Sequence, residues 1–256
     1  MEVPNPVLER ASPGSRSAAS AFGRLREQFV AAPAYVATAG DRRTFSLAGL
    51  ELPVRATAAI VLVTFAVLLD HSRTFMPADL PGRAPETMRF LAVERFLLFG
   101  VVPMALVLLA FRDRPSRYGL TMGAWRWGVG LMLAGCAAMT PIVLFFAQLP
   151  DVRAYYAESA APLLDLVVTN ALDLTAAEFA FRGLLMMTLV RTIGPVGVLV
   201  ATLPFVFGHL GKPPLELFST LGGGMAYGWL AWRTGSIVWG SIAHVYILTL
   251  VTVAVA

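Results

Sequence analysis

The run Pro162-LLDLVVTNALDLTAAEFAFRGLLMMTL-Val190 decides the architecture. It is long and apolar enough to cross a bilayer, for which a helix needs about 20 apolar residues, yet it carries Asp173, Glu178 and Arg182 at membrane depth. Facing lipid, three ionisable side chains would together cost about 7 to 10 kcal/mol, comparable with the whole stability of a typical domain, about 5 to 15 kcal/mol. They must therefore face the interior of a bundle or a wet cavity, and a bundle requires other helices around this one. Glu178 and Arg182 are four residues apart, so on a helix they share a face one turn apart and can pair; Thr175 extends the same stripe. Taken alone, such a pair is as readily a structural lock between two helices as part of a working site.

The remaining chain supplies the other helices. Of 256 residues, 57% are hydrophobic and 14% charged, against roughly 45 to 50% and about 25% in soluble domains, and the mean hydropathy is +0.69. This excludes an ordinary water-soluble enzyme, and with it collagen-like, disulfide-rich and disordered chains. The 20 Lys and Arg residues sit mostly in short polar gaps between apolar runs, as in the loops of membrane proteins, so no nucleic-acid partner is expected. The single cysteine, Cys136, lies in an apolar run and reads as packing.

The reading is an all-α, polytopic transmembrane bundle. Residues 1–53 form a polar, loose cytoplasmic leader, with a short surface helix considered over Phe22 to Tyr35. Residues 54–161 carry the N-terminal transmembrane helices. Seven spans emerge, from Pro53 to Leu69, Phe90 to Phe111, Trp127 to Leu149, Pro162 to Val190, Pro195 to Leu210, Leu217 to Trp232 and Ser236 to Val255. The fourth is longer than a membrane needs, so a separate short helix in its first half, and with it a count of eight, stays open. Thirteen basic residues fall in the leader and the loops on its side; six, Arg73, Arg83, Arg89, Arg95, Arg153 and Lys212, fall opposite. Positive residues are retained in the cytoplasm, which places the amino terminus inside. Gly222, Gly223, Gly224 and Gly228 give the sixth span a small face for close packing, and Glu216 reads as a cap on its first turn.

Two further polar residues sit in apolar surroundings: His209 in Phe205-Val-Phe-Gly-His209 and His244 in Gly240-Ser-Ile-Ala-His244. At 1.5 Å per residue, Glu178 lies about 20 Å, His209 about 22 Å and His244 about 14 Å from the cytoplasmic ends of their helices, so within the uncertainty of helix boundaries they meet in one layer. A carboxylate, an arginine and two histidines buried together supply what peptide hydrolysis requires: a base to activate water, donors for an oxyanion and an acid for the leaving amine. The same Glu and His residues offer the alternative of one zinc ion with an open position for water. Because the groups stand on three helices, spacing does not choose between these.

The residues resemble the CPBP family, the CAAX proteases and bacteriocin-processing enzymes, also called Abi proteins. Glu178-Phe-Ala-Phe-Arg182 is similar to the family's Glu-Glu-x-x-x-Arg motif, Phe205-Val-Phe-Gly-His209 matches its Phe-x-x-x-His motif, and His244-Val-Tyr-Ile-Leu248 resembles its His-x-x-x-Asn motif. The resemblance implies that residues 162–256 are the catalytic helix core of an intramembrane endopeptidase. Glu178, Arg182, His209 and His244 would then act on a membrane-associated peptide or protein, in a bacterial inner membrane. Ala177 stands where the family has its first glutamate and Leu248 where it has asparagine. Glu178 then does the work of that glutamate, as in a similar bacterial subset with a single glutamate, or the chain is an inactive scaffold or immunity protein. Asp173 is a weak substitute on this reading, since five residues on a helix turn it about 140° from Glu178. A small transporter, a third option, would show matching Gly/Pro-broken spans in its two halves, and none is found. The motifs of site-2, rhomboid and presenilin-type proteases are missing from the sequence.

Overall fold

The computed structural model describes residues 30–80 and 82–256; most of the helix considered over Phe22 to Tyr35 lies outside them. A two-stranded antiparallel hairpin, β1 (Thr44–Leu47) and β2 (Leu50–Pro53), leads into eight helices among the described residues. These are α1 (Val54–His71), α2 (Pro85–Ala110), α3 (Trp125–Phe146), the short α4 (Pro150–Tyr156), the long α5, then α6 (Gly197–Phe207), α7 (Pro214–Thr234) and α8 (Val238–Val255). Helix α5 runs without a break through α-helical Leu163–Glu178, a π-helical stretch Phe179–Met186 and α-helical Met187–Ile193. The separate short helix considered in its first half is therefore not present, and Asp165 and Asp173 belong to one helix.

The chain is an integral membrane helix bundle. By length and composition α1, α2, α3, the α5–α6 segment and α8 are apolar enough to cross a bilayer. Helix α6 has 11 residues and spans only about 16 Å. It ends at Phe207 rather than Leu210 because the backbone turns through Gly208 and Gly211, the latter at φ 87°. Helix α7 has the length, at 21 residues, but its Gly, Ser and Thr content makes it less apolar.

The π-helical stretch of α5 is the axis of the core, and every residue from Phe179 to Met186 is buried. Helices α1, α2, α6 and α7 pack around it, while α8 packs against α3 and the first part of α5. Close approach depends on small residues where helices touch. A Cβ on Gly224 would come within 2.7 Å of Thr202 and one on Gly228 within 2.8 Å of Val198, so these glycines seat α7 on α6. Gly222 and Gly223 face open space. Gly128 gives room to the indole of Trp239, whose Nε1 donates to the Met122 carbonyl at 3.1 Å.

The leader differs from the expectation of a loose tail up to residue 53. From Tyr35, whose hydroxyl donates to the Trp232 carbonyl, it is held to the bundle, chiefly through one carboxylate. Asp41 is 3% exposed. It accepts from the Thr38 backbone and hydroxyl, both at 2.8 Å, and pairs with Arg55 at 3.0 Å and Arg117 at 2.9 Å. Arg191 adds a third cation at 3.5 Å, and Asp113 bridges Arg55 and Arg117 at 2.9 and 3.1 Å. A polar composition conceals such a clasp, because the partners lie on α1, after α2 and late in α5. Burial pushes the Asp41 carboxyl up, but the Thr38 hydrogen bonds and the arginines outweigh it and hold the group well below the usual carboxylate range.

Removing one partner of a buried ion set strands the others, at about 3 to 5 kcal/mol. Asp41→Ala is therefore expected to lower the thermal unfolding midpoint in detergent micelles by far more than substitution of the exposed Glu51. Since the folded pKa is depressed, the Asp41 contribution is complete above the unfolded value of 3.8 and fades only as pH falls below it. A midpoint unchanged by Asp41→Ala at neutral pH would show that the clasp contributes no stability.

Candidate active site

Three groups, Arg182, His209 and His244, pack on the ring of Phe205, and Glu178 contacts two of them. Glu178, at the end of the first α-helical part of α5, is 0% exposed. Its Oε1 lies 3.2 Å from an Arg182 amine and accepts from His244 Nδ1 at 3.0 Å. The i, i+4 spacing and the helix periodicity produce the first contact; the packing of α8 on α5 produces the second. Oε2 has no hydrogen-bond partner among the described residues. Arg182, 2% exposed, lays its guanidinium over the Phe205 ring at 3.8 Å, a geometry that stabilises a buried cation through the ring quadrupole.

The same ring orders both histidines. His209 packs against it at 4.5 Å between centroids, and His209 Nδ1 lies 2.8 Å from the Phe205 carbonyl one turn back. A carbonyl only accepts, so Nδ1 carries the proton and Nε2 of the neutral ring is a bare acceptor. His244 meets Phe205 edge-on at 5.9 Å and stacks on Tyr227 at 5.0 Å. Its Nδ1 donates to Glu178, so Nε2 is the nitrogen left over.

His209 and His244 line a cavity of about 500 Å³; Glu178 and Arg182 are not part of its wall and form the layer behind His244. The wall carries Ala177 where the resembling motif would place an acid, and Leu248 in place of its amide. It also carries residues that the sequence reading did not assemble. Arg95, counted as a loop charge, lies within α2, where it donates to Asp70 at 2.7 and 3.3 Å and to Asp173 at 2.9 Å. The signal was there, since the cost of charge in apolar stretches singles out Asp70 and Arg95 as it does Glu178.

At the rim, Tyr156 of α4 donates to Glu216 at 2.8 and 2.9 Å, and Lys212 reaches Glu216 at 2.6 Å. Glu216 thus ties three segments together and makes no capping bond to its own helix. Burial alone would lower the Lys212 ammonium, but Tyr156 and Glu216 raise it above its ordinary value.

A zinc ion needs three protein ligands and an open position. Among the described residues no three His, Cys, Asp or Glu side chains converge in that way. Glu178 Oε1 is engaged with His244 and Arg182, and His209 has only Nε2 to offer, so the residues present do not fit the metal considered from the sequence.

The polytopic membrane bundle thus gathers a carboxylate, an arginine and two histidines beside one cavity. Residues 159–249 match the family model described as type II CAAX prenyl endopeptidase, Rce1-like. The match spans about a third of the chain and includes all three motifs, so the recognition of a CAAX-protease family segment is borne out. Neither the curated proteins nor the solved structures gave a match.

If Glu178 and Arg182 form one unit, Glu178→Ala leaves a buried guanidinium without its carboxylate and costs about 3 to 5 kcal/mol. Adding Arg182→Met is expected to recover more than half of that loss in chemical unfolding in mixed micelles. A double variant no more stable than the single one would mean that the two side chains contribute independently.

Proposed function

We propose that the protein is an intramembrane endopeptidase of the CAAX-protease type that hydrolyses a peptide bond of a membrane-associated protein or peptide. The observation that carries this reading is the pair of histidines opening on one cavity, one backed by a carbonyl and the other by the Glu178 carboxylate. The two backings give the rings opposite characters. His209 presents an acceptor, which orients a water through its hydrogen. His244, oriented by Glu178 through Nδ1, is assigned the carbonyl oxygen as it becomes an oxyanion and the leaving amine. Glu178, held by Arg182, therefore acts through His244 rather than by touching the water. Exclusion of bulk water strengthens each contact.

The membrane is the bacterial cell membrane, with the amino terminus in the cytoplasm. The basic-residue count favours this orientation, and the Asp41 clasp supports it by holding the leader, the loop around Arg117 and the end of α5 at one end of the bundle. The cavity, walled by Asp70 at the other end of α1, then opens away from the cytoplasm. Ala177 and Leu248 favour a second reading, a non-enzymatic scaffold or immunity protein of the same family.

His209→Ala and His244→Ala are each expected to lower cleavage of a membrane-anchored peptide library in proteoliposomes by about 100-fold or more while the protein still elutes as folded. A wild-type protein that cleaves no member of the library would place the non-enzymatic reading first. For orientation, Ser116→Cys in a Cys136→Ala background should resist membrane-impermeant maleimide on intact cells and react in inverted vesicles; labelling of intact cells would reverse the assignment.

A further inference from the structure

The proposed chemistry leaves one requirement unassigned, an acceptor for the proton of the attacking water. His244 is assigned above to the oxyanion and the leaving amine. His209 has only a neutral carbonyl and an aromatic face behind it, neither of which stabilises an imidazolium as a carboxylate does. Glu178 is not part of the cavity wall. We propose that Asp173, held by Arg95 and Asp70, is the carboxylate that receives this proton, from a position one helical turn before Ala177. The inference rests on the peptidase reading above and assigns a catalytic residue that the sequence motifs do not contain.

Three observations carry it. Asp173 lines the same cavity as His209, His244 and Ala177. It stands four residues before Ala177, so the two share a face of α5 about 6 Å apart along the axis; the 140° that separates Asp173 from Glu178 turns it toward the cavity. Its Oδ2 accepts from Arg95 at 2.9 Å, and its side chain is 8% exposed. Arg95 is itself fixed by two bonds to Asp70, which makes Arg95 and Asp70 positioning residues. Arg95 thus stands between two carboxylates on a wall that also carries Arg73, Arg83, Lys212 and Glu216.

In the step, Asp173 Oδ1 takes a proton from water as the water oxygen bonds to the carbonyl carbon. The carbonyl π pair moves to oxygen and is held by His244 Nε2–H. As the C–N bond breaks, the nitrogen takes the bond pair and receives the proton from Asp173, which restores the carboxylate and releases an amine and a carboxylic acid. Water is the only co-reactant.

The test uses the full chain in proteoliposomes of phosphatidylethanolamine and phosphatidylglycerol with the membrane-anchored peptide library. Asp173→Asn is expected to lower kcat by about 100-fold or more with KM changed by less than about 3-fold. Adding Ala177→Glu, which puts a carboxylate on the same wall, should recover at least about 10-fold; Asp165→Asn, at an exposed pair with Arg89 on the same helix, should change nothing. A wild-type rate in Asp173→Asn while His209→Ala is inactive would overturn the inference and leave the peptidase reading standing. Wild-type protein that cleaves nothing would remove both. Loss of activity that Ala177→Glu fails to recover would mark Asp173 as structural. If Asp173→Asn does not fold, the wild-type protein is treated with a carbodiimide and glycine methyl ester and mapped by mass spectrometry. Modification of Asp173 ahead of Glu178, in step with loss of cleavage, supports the assignment, and an unmodified Asp173 in inactivated protein refutes it.

Discussion

The carboxylate of Glu178 has no access to water, and much of the surrounding arrangement answers that isolation. A buried anion needs opposite charge and hydrogen bonds in place before it is tolerable. Arg182 supplies the charge from one turn along the same helix, and His244 supplies the hydrogen bond from α8. Arg182 brings its own demand, met by the face of Phe205 on α6. Three helices are thereby held in register by one side chain that never meets the cavity. Gly240 completes the fit, since a Cβ there would stand 3.5 Å from Glu178 Oε2.

Phe205 connects this dry layer to the wet one. Its ring carries Arg182 on the buried side and both histidines toward the cavity, and its carbonyl sets the tautomer of His209. The outcome is a division of labour by depth: charge is balanced behind the rings and presented through them. The π-helical stretch begins one residue after Glu178. Such wide turns recur where a helix must aim side chains for function, and here the stretch contains Arg182.

Long apolar runs announced the helices, and the cost of charge in them announced Glu178, Arg182 and the two histidines, because both signals are properties of a single segment. Which face of α5 meets the cavity was not legible, since a face is defined by its neighbours. The sequence therefore treats Ala177 as a gap and Asp173 as a stray acid, whereas in the fold they are adjacent positions on one wall. The partnership of Asp70, Arg95 and Asp173 joins three helices across about 100 residues of chain, and no local pattern encodes it. The same holds for Asp41, whose polar neighbourhood reads as a tail until Arg55, Arg117 and Arg191 are brought around it. The short α6 was misjudged in length because Gly208 continues an apolar run while ending the helix.

Helix α1 is pinned at both ends, by Arg55 to the Asp41 clasp and by Asp70 to Arg95. Some 15 residues, about 22 Å of helix, separate the two anchors, and each is a directional hydrogen-bonded ion set rather than a greasy contact. The helix therefore acts as a strut of fixed length and tilt. When a bilayer thickens or thins, its mismatch with the protein is taken up by helices free to lean. Helix α3, whose spanning window is only 6% buried, rests mainly on α8, through packing and the Thr140–Tyr246 hydroxyl contact rather than through an ion set. The depth of the cavity is then set from within the protein, and membranes of different thickness change the slant of the outer helices before they change the distance between the two ends of the site.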